Sequence, residues 1–331
     1  MSSETAPQQI LSTDENPEWY SYCCSELSKV NPTGGRLDGM RAILTRAAWM
    51  WDNGRTITVG FVAPVSGTAV QQAKVREVVK EWEKHANLKF RFIPNGNDAE
   101  IRISFQTNNG SWSYVGNTAL QIAKPNPTMN YGWVYSTAGI TENERGVILH
   151  EFGHAIGYLH EHQSPRRGEK LTLNEPVIID YYRRTQNPPW DEAKTRANVI
   201  NVYSRAEVSN FSATDFTSIM MYFMPANFNL QGIAIPPNNR LSAVDKAYAY
   251  LNYPFMGGSA SVDPSVTLAN ALNAAGVTGT ARTNIAAEYT EGDWRGLRAE
   301  FTRWTLNQRA ASASAPAEPA AEPAAEAEAE A

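Results

Sequence analysis

His150-Glu151-Phe152-Gly153-His154-Ala155-Ile156-Gly157-Tyr158-Leu159-His160-Glu161-His162 decides the reading of this chain. The run holds four of the chain's five histidines and spells H-E-x-x-H-x-x-G-x-x-H-E. On a helix, residues four apart share a face, so the His150 and His154 imidazoles can reach one metal ion. Glu151 sits beside the first ligand, offset enough to hold a water rather than the metal. Gly157 takes positive φ at little cost and can end the helix. The chain then turns back and brings in His160 as a third ligand. Three protein ligands leave a fourth position open, which marks a catalytic zinc rather than a closed structural one. All five fixed letters arise by accident at on the order of 10⁻⁵ per chain of this length. A helix that merely happens to carry histidines is therefore set aside.

Glu161, directly after the third histidine, resembles the astacin branch of the metzincins. A second signature agrees: Asp215-Phe216-Thr217-Ser218-Ile219-Met220-Met221-Tyr222 resembles the astacin S-I-M-x-Y segment, the Met-turn. Gly110–Gly116 resembles the family's edge-strand region, and Leu241-Ser242-Ala243-Val244-Asp245 the start of its last helix. The resemblance implies an α+β, zincin-like metallopeptidase fold. A twisted, mostly parallel sheet and the active-site helix form its N-terminal subdomain, and a smaller, mostly helical or irregular C-terminal subdomain follows. It implies one catalytic Zn²⁺ on His150, His154 and His160, with Glu151 as general base. Met220 is implied as the apolar floor and Tyr222 as the donor to the oxyanion. Substrates, protein or peptide, are implied to lie extended along Trp112, Ser113 and Tyr114. Phe223, Met224 and Pro225 are implied to build the primed-side pocket. In processed astacins the residue matching Glu161 contacts a buried new amino terminus; without such processing, Arg166 or Arg167 stands as its partner. Calcium binding is left undecided.

Two departures matter. The only cysteines, Cys23 and Cys24, lie outside the matching region, and Ser111 stands where animal relatives carry a cysteine. The F-x-G-D segment of astacin propeptides is also absent upstream. The resemblance is thus to disulfide-free microbial members, and a latency role for a Cys23 or Cys24 thiolate stays open. Two other readings also stay open. One is a catalytically silent binding protein on a metzincin scaffold, although no ligand or glutamate is missing. The other is a zinc amidase or exopeptidase acting on small conjugates.

The bulk numbers fit an ordinary folded chain of 331 residues with 42% hydrophobic residues. Its formal charge is −5, but Glu318, Glu322, Glu326, Glu328 and Glu330 crowd the last fourteen residues, so the rest is formally neutral. Neither a basic stripe for nucleic acid nor an acidic body for a cationic partner is visible. No apolar segment is long enough to span a bilayer. The first residues lack a charged-then-apolar export signal. That pattern suits a cytoplasmic or non-classically exported chain, whereas the family resemblance favours secretion. A monomer is expected.

Residues 1–54 read as a leading segment, polar and disordered over 1–35, with a short amphipathic helix over Met40–Met50 and a possible pro-segment role. Residues 55–256 read as the catalytic domain. Ile57, Val59 and Phe61 alternate as a strand, as do Leu88–Phe92 and Ile101–Phe105. Val75, Val78, Val79 and Trp82 form one helical stripe, ending near His85, read as a surface histidine. Thr141 and Glu144 form a capping box opening the metal-site helix, expected to run to about Tyr158. Pro176–Arg183, Asp191–Tyr203 and Ser242–Leu251 read as helices. Residues 257–310 read as a helical appendage, with helices over Pro264–Ala275 and Trp294–Leu306, and 311–331 as a disordered Ala/Pro/Glu tail.

Overall fold

The structure is a computed structural model that describes residues 47–164, 167, 170–186, 189–202 and 214–313. Cys23, Cys24, Arg166 and residues 40–46 of the first expected helix lie outside the described residues. The remainder of that helix, Ala47–Trp49, is a single 3₁₀ turn.

In chain order the elements begin with β1 (Thr56–Phe61), α1 (Ala69–Val78), α2 (Lys80–His85), β2 (Lys89–Phe92) and β3 (Ile101–Ser104). Then come β4 (Ser111–Ser113), β5 (Met129–Tyr131), α3 (Glu142–Ala155), α4 (Glu175–Thr185) and α5 (Glu192–Thr195). Last are α6 (Ala243–Asn252), α7 (Leu268–Ala274), α8 (Gly279–Glu291) and α9 (Trp294–Ala313). The sheet order is β2-β1-β3-β5-β4. The first four strands in that order pair in parallel, and β4 closes one edge antiparallel to β5. This is the mixed helix-and-sheet architecture with a mostly parallel sheet that the sequence implies.

The Val75–Trp82 stripe is buried as expected, but two helices carry it, joined at Val79, which keeps right-handed helical angles. His85 is a correction: it is 6% exposed, with Nε2 3.5 Å from Glu81. The C-terminal segment crosses the end of α2 there, with Ser261 Oγ donating to Lys84 O. The Asp191–Tyr203 helix is shorter than expected, α5 continuing only as a π-turn over Arg196–Ile200. Conversely, α9 runs past Leu306 into the Ala-rich stretch, consistent with alanine's high helix propensity. Both α8 and β5 are additions to the sequence reading.

The apolar side chains gather in two cores. The larger packs the sheet against α1, α2, α3 and α6, and takes in Leu272, Ile285, Leu297 and Phe301 from α7–α9. Phe301 meets Tyr248 of α6 edge-on at 4.9 Å. The smaller contains Ile178, Tyr182, Trp190, Val199, Met224 and Phe228. Met220 belongs to the first core and Met221 to the second, so this one loop joins them.

Met50, expected on the apolar face of the first helix, and Trp51, expected in the turn after it, are both buried. Trp51 Nε1 donates to Ala155 O at the end of α3 (2.7 Å). Arg298 of α9, itself buried, donates to the carbonyls of Trp51 and Asn252. Tyr253 Oη, which accepts from Trp51 N, donates to Ile156 O. Helix α9 therefore ties the segment before β1 to the end of α6.

Candidate active site and metal centre

Helix α3 is anchored at both ends, and that fixes where its histidines point. At its start, Thr141 and Glu144 make the expected capping box. Glu144 also forms an ion pair with Lys74 of α1 at 2.5 Å, both side chains at most 3% exposed. At its end the helix stops at Ala155, three residues before the expected limit. The reason is local: Gly157 takes φ 106°, Gly157 N–H donates to His154 O, and Tyr158 N–H to Gly153 O. This is a Schellman closure, which ends the helix at the glycine and turns the chain back. His160 is thereby returned towards the helix.

The result is a convergent triad. One ring nitrogen from each of His150, His154 and His160 lies within 4.8 Å of the others. The Nε2 atoms of His154 and His160 are 3.1 Å apart. Ligands ~2.05 Å from a tetrahedral zinc sit about 3.3 Å apart, so this pair is at the right separation. Among the described residues His150 Nε2 is buried with no hydrogen-bond partner, a cost that a metal removes. The other nitrogens of His150 and His154 are already committed: His150 Nδ1 meets Ile219 O and His154 Nδ1 meets Tyr158 O, both at 2.8 Å. A carbonyl at Nδ1 holds the proton there and leaves Nε2 as the ligand. Burial drives the His150 pKa down to about 4, against the pull of the Ile219 carbonyl. His154 and His160 are also pushed well down by burial. Neutral imidazole is the form that binds metal, so the residues present fit zinc.

The Met-turn lies beneath. A Cβ placed on Gly153 would stand 2.6 Å from Met220 Sδ, so glycine is what lets this loop approach the helix. Glu161 N–H donates to Met220 O, tying the third-ligand segment to the same loop. The Glu161 carboxylate accepts Asp215 N–H at 2.8 Å, and burial pushes its pKa well up. Arg167 gives Nη1 to the carbonyls of His162 and Ile200.

Glu151 is 1% exposed on α3. The Tyr222 ring lies 4.4 Å from His160 and 6.2 Å from His150, so the structure brings it to the triad. His162 is outside the ligand cluster; its ring stacks on His160 at 5.3 Å and meets Tyr222 at a tilt at 4.1 Å, the three rings forming a triangle. Trp112 and Ser113 are on edge strand β4, which packs near α3, and Trp112 meets the Tyr114 ring edge-on at 6.1 Å. The sequence reading missed the orienting groups, Tyr158 and Ile219. Tyr158 was inside the motif all along, at a position where any residue suffices for the pattern.

A model of the astacin peptidase family matches residues 44–249, more than half of the chain. The chain belongs to the astacin family. It is, by that membership, a zinc-dependent metallopeptidase. Its fold is similar to that of myroilysin, at 33% identity with a TM-score of 0.58, over 64% of this chain and 98% of that one. Among curated proteins it is 30% identical to Protein SpAN of Strongylocentrotus purpuratus over 115 residues (33% of this chain, 17% of that protein). It is 28% identical to Tolloid-like protein 2 of Mus musculus over 183 residues (55% of this chain, 15% of that protein). The matches thus span less than a fifth of the length of these curated relatives. Among the described residues no helix is long and apolar enough to cross a membrane.

Proposed function

We propose that this astacin is an endopeptidase that cleaves internal bonds of protein substrates, with one zinc ion on His150, His154 and His160. The observation that carries the reading is the convergent triad, His154 and His160 buried and His150 partly so, with Glu151 next to His150 on α3. Zinc held there supplies Lewis acidity, polarising the scissile carbonyl and making water more acidic. Glu151 accepts the proton of the attacking water and passes it to the leaving amine, serving as base and then acid. Tyr222 donates its phenolic O–H to the oxygen that gains charge, an interaction made chiefly in the transition state. The substrate strand adds to the free edge of β4, where main-chain hydrogen bonds hold it extended past Trp112, Ser113 and Tyr114. An open edge suits a polymer, which favours internal cleavage over release of a terminal residue.

The test is Glu151→Gln in the full-length chain, with an unfolded protein as substrate. The wild type is expected to cut at internal bonds, to stop when a chelator removes zinc, and to recover when zinc returns. The variant is expected to bind zinc equally and to lose cleavage. Near-normal cleavage by the variant removes Glu151 from the mechanism. Release of single terminal residues by the wild type replaces the endopeptidase reading with an exopeptidase.

A further inference from the structure

Two metal-site histidines depend on carbonyl groups that belong to different parts of the chain, and both carbonyls lead to the same residue. His150 Nδ1 rests on Ile219 O at 2.8 Å. The amide N–H of Ile219 donates to Asp245 Oδ2, also at 2.8 Å. His154 Nδ1 rests on Tyr158 O, and the Tyr158 hydroxyl donates to Asp245 O at 2.6 Å, 87 positions away in sequence. Asp245 Oδ1 in addition accepts from Ser218 Oγ at 2.7 Å, and Ser218 Oγ accepts Met220 N–H. Asp245 is 3% exposed and stands at the third position of α6, where it also caps that helix through Ser242.

We propose that Asp245 is a positioning residue for the metal centre, setting the orientation of His150 through Ile219 and of His154 through Tyr158. The physical basis is that a ligand imidazole points where the partner on its other nitrogen holds it. Neither carbonyl belongs to regular structure. Ile219 lies in the loop between the two cores, and Tyr158 in the turn after α3. Asp245 is held by the first turn of α6 and grips both from one point. Its carboxylate fixes the Met-turn amide and hydroxyl, while its carbonyl fixes the far end of the Tyr158 side chain. The Tyr158 ring is itself wedged 5.1 Å from Trp82, so the hydroxyl anchor controls the tilt of the whole residue. A helix cap alone requires neither the Ile219 contact nor the Tyr158 contact.

This inference rests on the zinc reading of the triad, so zinc affinity is measured directly and apart from catalysis. The full-length wild type, Asp245→Ala, Asp245→Asn, Tyr158→Phe and Ser242→Ala are titrated with zinc against a competing chelator. Cobalt(II) is then substituted and its visible absorption recorded. Loss of an outer partner of a metal ligand typically costs 10–100-fold in affinity. Asp245→Ala is expected to fall in that range and to shift the cobalt bands. Asp245→Asn, which keeps an oxygen for the Ile219 amide, is expected to recover most of the loss. Tyr158→Phe cuts only the second tether, folds without a new cavity, and is expected to lose a few-fold with a smaller band shift. Ser242→Ala weakens the cap of α6 and removes the Ser242 Oγ donation to Asp215 Oδ2, but leaves the Asp245 contacts to Ile219 and Tyr158 in place, and is expected to lower stability with wild-type affinity and bands. Asp245→Ala binding zinc within about twofold of wild type overturns the proposal. So does Ser242→Ala losing as much affinity as Asp245→Ala, which reduces Asp245 to a fold residue. If Asp245→Ala does not fold, unaltered affinity and bands in Tyr158→Phe decide against the proposal. A wild type that takes up no zinc overturns the metal reading first, and this inference falls with it.

Discussion

Gly153→Ala adds one methyl group at the tightest point between the metal-site helix and the loop beneath it. The new Cβ would lie 2.6 Å from Met220 Sδ and 3.3 Å from Trp82 Cζ2. Ordinary van der Waals contact begins at about 3.5 Å, so Met220 must retreat by about 1 Å. Met220 is 1% exposed and Trp82 fully buried, so there is little space to retreat into. Overpacking of this kind costs about 1–3 kcal/mol. Alanine in a helix interior returns about 0.8–1 kcal/mol relative to glycine. The net expectation is a loss of up to about 2 kcal/mol, read as a lower urea midpoint at unchanged slope. A double-mutant cycle identifies the source. Met220→Ala alone opens a cavity and costs about 2–5 kcal/mol, but in the Gly153→Ala background the new methyl occupies part of that space. The second substitution is therefore expected to cost at least about 1 kcal/mol less there. A Gly153→Ala protein more stable than wild type, or a cycle that sums without coupling, refutes the argument that this contact sets the approach of loop to helix.

Three further outcomes are expected. Tyr222→Phe keeps the ring beside His160 and loses the hydroxyl, so turnover falls about 10²–10³-fold while KM changes little; equal turnover removes Tyr222 from oxyanion stabilisation. For the metal-free protein, His150 titrates at about 4 when folded against 6.5 when free. A lowered folded pKa means that its stability contribution is complete above pH 6.5 and lost as pH falls through 4, up to about 3 kcal/mol. The difference in urea midpoint between wild type and His150→Asn, measured in chelator across that window, checks it, and a difference that does not change with pH contradicts it. Lys74→Met strands the buried Glu144 carboxylate and is expected to cost about 3–5 kcal/mol, with Glu144→Gln recovering part of it; a loss under about 1 kcal/mol by the same denaturation assay shows that the pair does not anchor α3.

What could be read from the sequence follows the range over which each feature acts. The grouping of His150, His154 and His160, the helix start at Thr141 and the turn at Gly157 depend on neighbours within a few residues, and all were legible. The Met-turn and Tyr222 were legible only by resemblance, since nothing local marks a loop that will pass under a helix about 70 residues upstream. The helix end was placed late because Ile156 and Tyr158 keep an apolar pattern, whereas the Schellman hydrogen bonds had already closed at Ala155. Three-residue β5 is too short for alternation to show. Helix α8 buries only Ile285 and so presents no stripe. The burial of His85 and the reach of Asp245 are through-space facts, made by segments far apart in the chain.

The grip of Arg298 on Trp51 has a bearing on how this enzyme survives its own kind. Peptidases attack chains where they fray, and fraying is cheap where backbone groups face water. Here Trp51 has its amide, carbonyl and indole all hydrogen-bonded inside the protein. At the other end, Thr305 is 1% exposed on α9. Cutting at Trp51 or at Thr305 would therefore first require opening the shared core, so both positions are expected to resist proteolysis as long as that core holds.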